Sequence, residues 1–169
     1  MAADEERSED QSFLNIDRLS GAIKFENVCF NYPNQETELL KNISFEVKEG
    51  EKVALLGNMG SGKTTIFKIL LGLYQPDSGS VVINDVDINQ YDPIFLREQM
   101  SYLEQSPKLL FGTALYNIKL KARDASDEEV LEAAKISGAN YMLSRHPKGF
   151  NMQIAEQGKG LSAVSYTHL

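Results

Sequence analysis

The sequence predicts an α/β fold in which a strand, a glycine-rich loop and a helix follow one another, and three adjacent stretches carry this prediction. Residues 52–56 (Lys-Val-Ala-Leu-Leu) form the short apolar run of a buried strand. Residues 57–65 (Gly-Asn-Met-Gly-Ser-Gly-Lys-Thr-Thr) match the phosphate-loop pattern G-x-x-x-x-G-K-S/T at every position. Residues 65–71 have apolar side chains at helical spacing. Together they provide the context that a nucleoside triphosphate site requires.

The backbone of the loop is predicted to bind phosphate. Gly57, Gly60 and Gly62 lack a Cβ, so the chain can adopt unusual φ values and turn its N–H groups toward phosphate oxygens. The start of the following helix adds unpaired N–H groups and a partial positive charge equivalent to about +0.5. A glycine-rich turn with a surface lysine is the alternative, and the complete match with both flanking elements disfavours it.

Two side chains of the loop are predicted to contact the phosphates and a metal ion. Lys63 supplies a point charge for the β- and γ-phosphates. Thr64 offers a hydroxyl to Mg²⁺, which prefers oxygen ligands. The predicted nucleotide-binding residues of the loop are therefore Gly57, Asn58, Gly60, Ser61, Gly62, Lys63, Thr64 and Thr65, the last of them near the α-phosphate.

Two strands are predicted before the loop. Residues 22–30 alternate apolar and polar side chains, and the alternation slips by one residue before Val28, as a β-bulge would make it. Residues 42–47 alternate without a slip. Residues 1–12 are acidic and almost devoid of apolar side chains, so we expect a solvated linker or tail over 1–21 and the domain over 22–163.

After the loop helix, the pattern predicts a strand at residues 80–85, a helix at 93–99, a strand at 101–104 and a helix at 113–120. Asp85, which ends an apolar run, resembles a metal-supporting acid, but it is interpreted as a turn residue. Ser126 and Glu129 form a capping box. The helix that starts there is predicted to bury Val130, Leu131, Ala134 and Ile136.

Composition excludes several classes of function. The 169 residues, 42% of them hydrophobic, suggest one domain. A net charge of −7 argues against nucleic acid as a partner. There is no apolar run of membrane-helix length and no signal peptide, so we expect a soluble, cytoplasmic chain. The single cysteine, Cys29, is expected to be a small buried thiol.

The chain resembles the ATP-binding domain of ABC transporters over residues 23–162. Tyr32, in Val-Cys-Phe-Asn-Tyr-Pro, occupies the position of the family's adenine-stacking aromatic, although an ordinary aromatic at a strand end is the alternative. Gln105, in Tyr-Leu-Glu-Gln-Ser-Pro, is similar to the glutamine of the Q-loop, which reaches Mg²⁺ and the attacking water; a solvated glutamine is the alternative. The resemblance thus implies ATP and Mg²⁺ as ligands, with Lys63 and Gln105 as catalytic residues.

A second stretch narrows the resemblance to exporters. Residues 154–162 (Ile-Ala-Glu-Gln-Gly-Lys-Gly-Leu-Ser) resemble the exporter segment that leads into the family signature, with Glu156 as its acidic residue. Residues 145–150 are most similar to the exporters of type I secretion. His146 precedes the signature, so it is interpreted as a loop residue and not as the family's switch histidine.

The resemblance stops after Ser162, where Ala-Val-Ser replaces the expected Gly-Gly-Gln. We therefore expect an incomplete P-loop NTPase domain of ABC type: an antiparallel β-subdomain, the phosphate-loop strand and helix, and the start of a helical subdomain. Residues 164–169 look like the translation of a sequencing-library adapter and are expected to be non-native. The parent implied by the resemblance pairs two ATP-binding domains head to tail and contacts a transmembrane domain at the cytoplasmic face of the bacterial inner membrane.

Two other classes of function remain open. A P-loop kinase or GTPase would share the loop, but the sequence lacks the GTPase base-reading motif Asn-Lys-x-Asp and an arginine-rich kinase lid. A nucleotide-binding module without turnover would describe this chain even if its parent hydrolyses ATP.

Overall fold

The computed structural model describes residues 12–14, 16–33, 37–105 and 108–155. The chain divides into two compact units, the first ending at Tyr102 and the second beginning at Leu103. Glu156, the segment that resembles the exporter signature and the expected non-native tail lie outside the described residues.

The first unit is built on a four-stranded antiparallel sheet with the order β2-β1-β3-β4. Its strands are β1 (Ile23–Phe30), β2 (Leu40–Val47), β3 (Ser78–Ile83) and β4 (Val86–Asp87). The register of β1 against β2 shifts on both sides of Val28, so the predicted bulge is confirmed. Asn27 has a positive φ of 48° there, a backbone conformation that asparagine tolerates better than most residues. The predicted antiparallel subdomain is present, and β4 is an element that the sequence did not predict.

In the described part of the first unit, two α-helices and a 3-10 helix (Ile88–Gln90) accompany this sheet. The α-helices are α1 (Lys63–Leu70) and α2 (Pro93–Glu98), both close to their predicted positions. Ile66 and Ile69 of α1 are buried in one cluster with the inner face of the sheet. Within that cluster, the rings of Phe25 and Phe45 stack with their centroids 4.6 Å apart. This packing fixes the start of α1, and therefore the phosphate loop, against the sheet.

Asp85 lies in the turn between β3 and β4. Asn84 and Asp85 both have positive φ values, 52° and 62°, as turn residues do. The Asn84 side-chain oxygen accepts hydrogen bonds from the Ser20 hydroxyl (2.7 Å) and the Gly21 N–H (3.2 Å). The interpretation of Asp85 as a turn residue therefore agrees with the structure.

Two predicted strands are wrong for the described residues. Residues 52–56 and 101–104 are not assigned to strands, and all of these residues are exposed. An isolated strand cannot satisfy its own N–H and C=O groups, and no strand of the described chain lies beside either stretch to pair with it. The apolar character of residues 52–56 is real, but a stretch forms a strand only where a second strand accepts and donates its backbone hydrogen bonds.

Cys29 is also placed differently from the prediction. Its side chain is half-buried on the outer side of β1, where it does not join the core. The Cys29 thiol lies 3.5 Å from the Asn42 side-chain oxygen, and the Asn42 N–H lies 3.3 Å from the sulfur. The bulge changes which side of β1 faces the core, and this explains the position of the thiol.

Within residues 103–105 and 108–155, the second unit contains a small sheet, three α-helices and a 3-10 helix (Gly149–Asn151). A two-stranded antiparallel sheet pairs β5 (Gly112–Thr113) with β6 (Gln153–Ile154). The helices are α3 (Ala114–Ile118), α4 (Asp127–Ser137) and α5 (Ala139–Leu143). They surround a core of Leu109, Ala114, Ala134, Ala139, Leu143, Met152 and Ile154. His146 lies just after α5, in the loop position predicted for it.

A buried amide shapes the loop that precedes α3. The Asn117 side chain donates to the carbonyl oxygens of Leu110 (2.9 Å) and Thr113 (3.0 Å) and accepts from the Leu110 N–H (2.8 Å). Both backbone groups of Leu110, its N–H and its C=O, are therefore hydrogen-bonded to one side chain, which fixes the conformation of the loop.

The predicted apolar stripe of α4 is only half right. Val130 and Ala134 are buried, whereas Leu131 is exposed and Ile136 has 81% of its surface accessible. Val130 and Ala134 are four residues apart and lie on one face of the helix, whereas Leu131 and Ile136 point away from it. The sequence pattern correctly predicted an amphipathic helix, but only the face that carries Val130 and Ala134 is buried against other elements.

The predicted capping box is confirmed and gives a stability prediction. The Ser126 hydroxyl accepts from the Glu129 N–H, and the Glu129 carboxylate accepts from the Ser126 N–H at 2.7 Å. We expect Ser126→Ala to lower the free energy of unfolding by about 1 kcal/mol at pH 7, because α4 loses its N-cap. Urea unfolding measures this, with the exposed Ser101→Ala as control.

The same pair predicts how this stability depends on pH. Hydrogen bonds from the Ser126 backbone N–H, and next from its hydroxyl, lower the pKa of Glu129 below its ordinary value of 4.5. Its contribution is therefore complete above that value and is lost as the pH falls through the lowered pKa. The difference between the wild type and Ser126→Ala should shrink in acid; a constant difference down to pH 2 would contradict this role for Glu129.

Candidate nucleotide-binding site

The phosphate loop follows a path that requires glycine. Gly60 and Gly62 have φ values of 81° and 86°, in the left-handed region that side chains with a Cβ rarely adopt. A Cβ on Gly62 would lie 2.5 Å from the Leu40 side chain, and one on Gly57 would lie 2.6 Å from the Ser61 hydroxyl. The pattern of glycines is thus explained by backbone conformation at two positions and by close contacts at Gly57 and Gly62.

Lys63 bends back into the loop. Its ammonium group donates to the carbonyl oxygens of Gly57 (2.8 Å) and Asn58 (2.7 Å) and to the Ser61 hydroxyl (3.3 Å). The loop therefore curves around a positive charge. An ammonium group held in this way is positioned to bind an anion that enters the loop.

The start of α1 faces the same space. Gly62 is the N-cap residue, and among the described residues no side chain accepts a capping hydrogen bond from the first-turn N–H groups. Uncapped N–H groups and the helix dipole together favour an anion. Backbone, helix and Lys63 thus supply one positively polarised surface.

A cavity of about 370 Å³ opens over this surface, a size typical of small-molecule sites. It is lined by Tyr32, Leu39, Gly60, Ser61, Gly62, Lys63, Thr64 and Thr65. The structure therefore brings Tyr32, which is distant in the sequence, together with the predicted loop residues. Gly57 and Asn58 take part through their carbonyl contacts with Lys63.

Tyr32 and Thr65 are linked by a hydrogen bond. The Tyr32 hydroxyl oxygen lies 3.0 Å from the Thr65 hydroxyl oxygen, and the Thr65 side chain is buried, with 3% of its surface accessible. The residue expected to stack on adenine thus contacts the residue expected near the α-phosphate, a contact that no sequence pattern indicated.

Gln105 lies in the second unit, in an exposed stretch without regular structure. Its proposed role at Mg²⁺ and water stays a prediction.

Two residues at the cavity or next to it were not predicted from the sequence. Leu39 lines the cavity just before β2, which starts two residues earlier than predicted, and Tyr74 contacts the Tyr32 ring with centroids 5.2 Å apart. Only the strand boundary could have indicated Leu39, and nothing in the sequence connects Tyr74 with Tyr32.

The residues of this site can hold Mg²⁺ if phosphate oxygens of a bound nucleotide supply most of the ligands of the metal. Among the described residues, no cluster of three or more His, Cys, Asp or Glu side chains could hold a metal by itself. Thr64 is exposed at the cavity beside Lys63, and its hydroxyl is a suitable oxygen ligand. A metal held by one hydroxyl, phosphate oxygens and water is compatible with this site.

A glycine-rich loop curved around an inward lysine, followed by a helix start without a side-chain cap, defines the class of this protein as a phosphate-loop nucleotide-binding protein. The family model described as ABC transporter matches residues 40–159. The chain belongs to the ABC transporter family.

Similar proteins come from bacteria and from animals. The chain is 38% identical over 146 residues to the uncharacterized ABC transporter ATP-binding protein YfiB of Bacillus subtilis, covering 86% of this chain and 26% of that protein. It is 37% identical over 152 residues to the leukotoxin translocation ATP-binding protein LktB of Mannheimia glucosida, covering 90% and 22%. Heavy metal tolerance factor 1 of Caenorhabditis elegans is 38% identical over 142 residues, covering 84% and 18%.

A solved structure confirms the fold. A bacterial Atm1-family ABC exporter with ATP bound superimposes with a TM-score of 0.85 and 31% identity, over 95% of this chain and 28% of that one. The chain thus spans about a quarter or less of the length of the three relatives described above. No helix among the described residues has the length and apolar character that crossing a bilayer requires.

Proposed function

We propose that this chain binds ATP together with Mg²⁺ and is the nucleotide-binding part of an ATPase that drives export. The observation that carries the proposal is the Lys63 ammonium group, which is held by loop carbonyls at the start of an uncapped helix and beside Tyr32. A triphosphate needs a charged and donor-rich cradle, and an adenine ring needs an aromatic face; this cavity offers both.

Each part of the nucleotide has a proposed partner. The N–H groups of the loop and of the first turn of α1 bind phosphate oxygens, and Lys63 binds the β- and γ-phosphates. Thr64 ligates Mg²⁺, Thr65 lies near the α-phosphate, and Tyr32 stacks on adenine. Bound Mg²⁺ neutralises charge on the β- and γ-phosphates. Gln105 belongs to the second unit, and its role at Mg²⁺ and the attacking water remains what the resemblance to the family implies.

We further propose that this chain alone binds ATP without turnover. In-line attack by water needs a group that orients and polarises the water. Among the described residues that line the cavity, none is an aspartate or a glutamate. Binding can therefore be supported locally, while hydrolysis depends on groups supplied from elsewhere in the parent or from a second ATP-binding domain.

The parent protein is proposed to couple hydrolysis to export through a transmembrane domain, and to act at the cytoplasmic face of the bacterial inner membrane. The ATP-bound exporter structure and the leukotoxin translocation relative support this proposal. Residues 145–150 and the similarity to LktB favour a protein or peptide as the cargo, exported by type I secretion. The chain is 38% identical to heavy metal tolerance factor 1 and 37% identical to LktB, so identity in this domain does not by itself distinguish cargo.

A nucleotide panel and a single-turnover assay test the proposed function. Isothermal titration with ATP, GTP and ADP in the presence of Mg²⁺ should show weak ATP binding that depends on the triphosphate. A strong preference for GTP, or phosphorylation of an added acceptor, would favour another class of P-loop protein. Incubation of excess protein with ATP should release no phosphate; stoichiometric release would refute binding without turnover.

The aromatic side chain at the base subsite gives a second test. We expect Tyr32→Ala to weaken ATP binding by on the order of 1 kcal/mol, because the stacking face is lost. Tyr32→Phe keeps the ring and only releases the Thr65 hydroxyl, so its dissociation constant should not rise. Titration of both variants measures this, and an equal loss in the Phe and Ala variants would show that the hydroxyl, not the ring face, is the binding group.

A further inference from the structure

Three aromatic rings form one cluster at the edge of the nucleotide cavity. The centroids of Tyr32 and Tyr74 are 5.2 Å apart with their planes at 90°, and those of Phe30 and Tyr32 are 5.0 Å apart at 84°. Phe30 and Tyr74 contact each other at 5.4 Å. These distances and angles are those of favourable edge-to-face pairs. The plane of the Tyr32 ring is therefore set by two other rings.

Tyr74 is attached closely to the helix that starts at the phosphate loop. The N–H groups of Gly72 and Leu73 donate to the carbonyl oxygens of Ile69 and Lys68, both at 2.9 Å, which ties the segment to the end of α1. The Lys68 ammonium group lies 5.8 Å from the centre of the Tyr74 ring, within the range of a cation–π contact. One end of α1 thus faces the phosphate site, while the other end fixes the position of Tyr74.

Tyr32 lies two residues after Phe30, the last residue of β1, so the strand itself does not set the orientation of its side chain. Phe30 is the only buried member of the ring cluster. Without an opposing ring, the Tyr32 side chain would keep its hydroxyl contact with Thr65 but lose one of the two surfaces that define its plane. Rotation of the ring would then remove the flat face that a base needs.

We propose that Tyr74 is a positioning residue for the base subsite: it fixes the Tyr32 ring at a set distance from the phosphate loop, so that the site distinguishes a purine nucleoside triphosphate from an inorganic polyphosphate. The inference rests on the proposed ATP-binding function. It assigns no contact between Tyr74 and the nucleotide. Its effect should therefore appear only with ligands that carry a base.

Binding of Mg-ATP and of Mg-tripolyphosphate by the same variants tests this role. We expect Tyr74→Leu to raise the dissociation constant of ATP by about three- to tenfold, the range of one aromatic pair, and to leave that of tripolyphosphate unchanged. The matched control Tyr74→Phe keeps the ring and should behave as the wild type with both ligands. A role in holding α1 alone would weaken both ligands together.

The outcomes separate the inference from the function on which it rests. Wild-type ATP affinity in Tyr74→Leu, or an equal loss for ATP and tripolyphosphate, would overturn the inference and leave the function standing. Failure of the wild type to bind either ligand would overturn the proposed function and the inference with it.

A measurement on the wild type keeps the inference testable if Tyr74→Leu does not fold. In NMR spectra of tyrosine-labelled protein, nuclear Overhauser contacts between the rings of Tyr32 and Tyr74 should persist when Mg-ATP is added. Their loss on ATP binding would overturn the inference.

Discussion

Replacing Lys63 by alanine is expected to abolish the phosphate-dependent part of ATP binding. The Lys63 ammonium group is held by the carbonyls of Gly57 and Asn58 at the start of α1, and no other cation lines the cavity among the described residues. At a ligand concentration about a hundredfold above the dissociation constant, Mg-ATP should stabilise the wild type by about 2.7 kcal/mol. Urea unfolding with and without nucleotide should show no such gain in Lys63→Ala.

The control for this experiment is another lysine of the same unit. Lys41 is exposed on β2 and does not line the cavity, so Lys41→Ala should keep the full stabilisation by ATP. Tripolyphosphate binding should disappear in Lys63→Ala and remain in Lys41→Ala. Equal stabilisation of the wild type and Lys63→Ala by ATP would show that the loop does not bind phosphate in the proposed way.

The second large effect concerns association. In the stretch of residues 52–56, Val53 has 56% of its surface accessible and Leu56 has 89%, and no strand of the described chain pairs with it. Exposed apolar side chains on an unpaired, strand-competent backbone are a template for another copy. We expect the isolated chain to elute from gel filtration as concentration-dependent oligomers and not as a monomer.

Charge placed in this stretch should reverse the association. Burying one such side chain is worth about 1.5–3 kcal/mol, so Val53→Lys should raise the dissociation constant of the oligomer by about tenfold or more. Leu73→Lys changes an equally apolar, exposed residue outside the stretch and serves as the control. A compact monomer with cooperative unfolding in the unmodified chain would contradict this account.

Features that depend on a few neighbouring residues could be predicted from the sequence. The bulge in β1, the turn at Asp85 and the capping box at Ser126 are of this kind, and all three were predicted. The phosphate loop was also predictable, because its conformation depends on glycines within one short segment.

What could not be predicted depends on distant partners. A strand at residues 52–56 needs a neighbouring strand that the sequence pattern does not specify. The exposure of Ile136 follows from how α4 packs on other helices, which its own spacing does not determine. The contact of Tyr32 with Tyr74 joins residues on either side of α1, so no local rule could indicate it.

The hydrogen bonds that Lys63 makes with the loop carbonyls have a kinetic consequence. They curve the loop around the ammonium group, which occupies its centre. An incoming phosphate then exchanges neutral carbonyl partners for charged oxygens, and no segment has to refold. Entry of different nucleotides should consequently occur at similar rates, and the site should discriminate among them through how long each one stays bound.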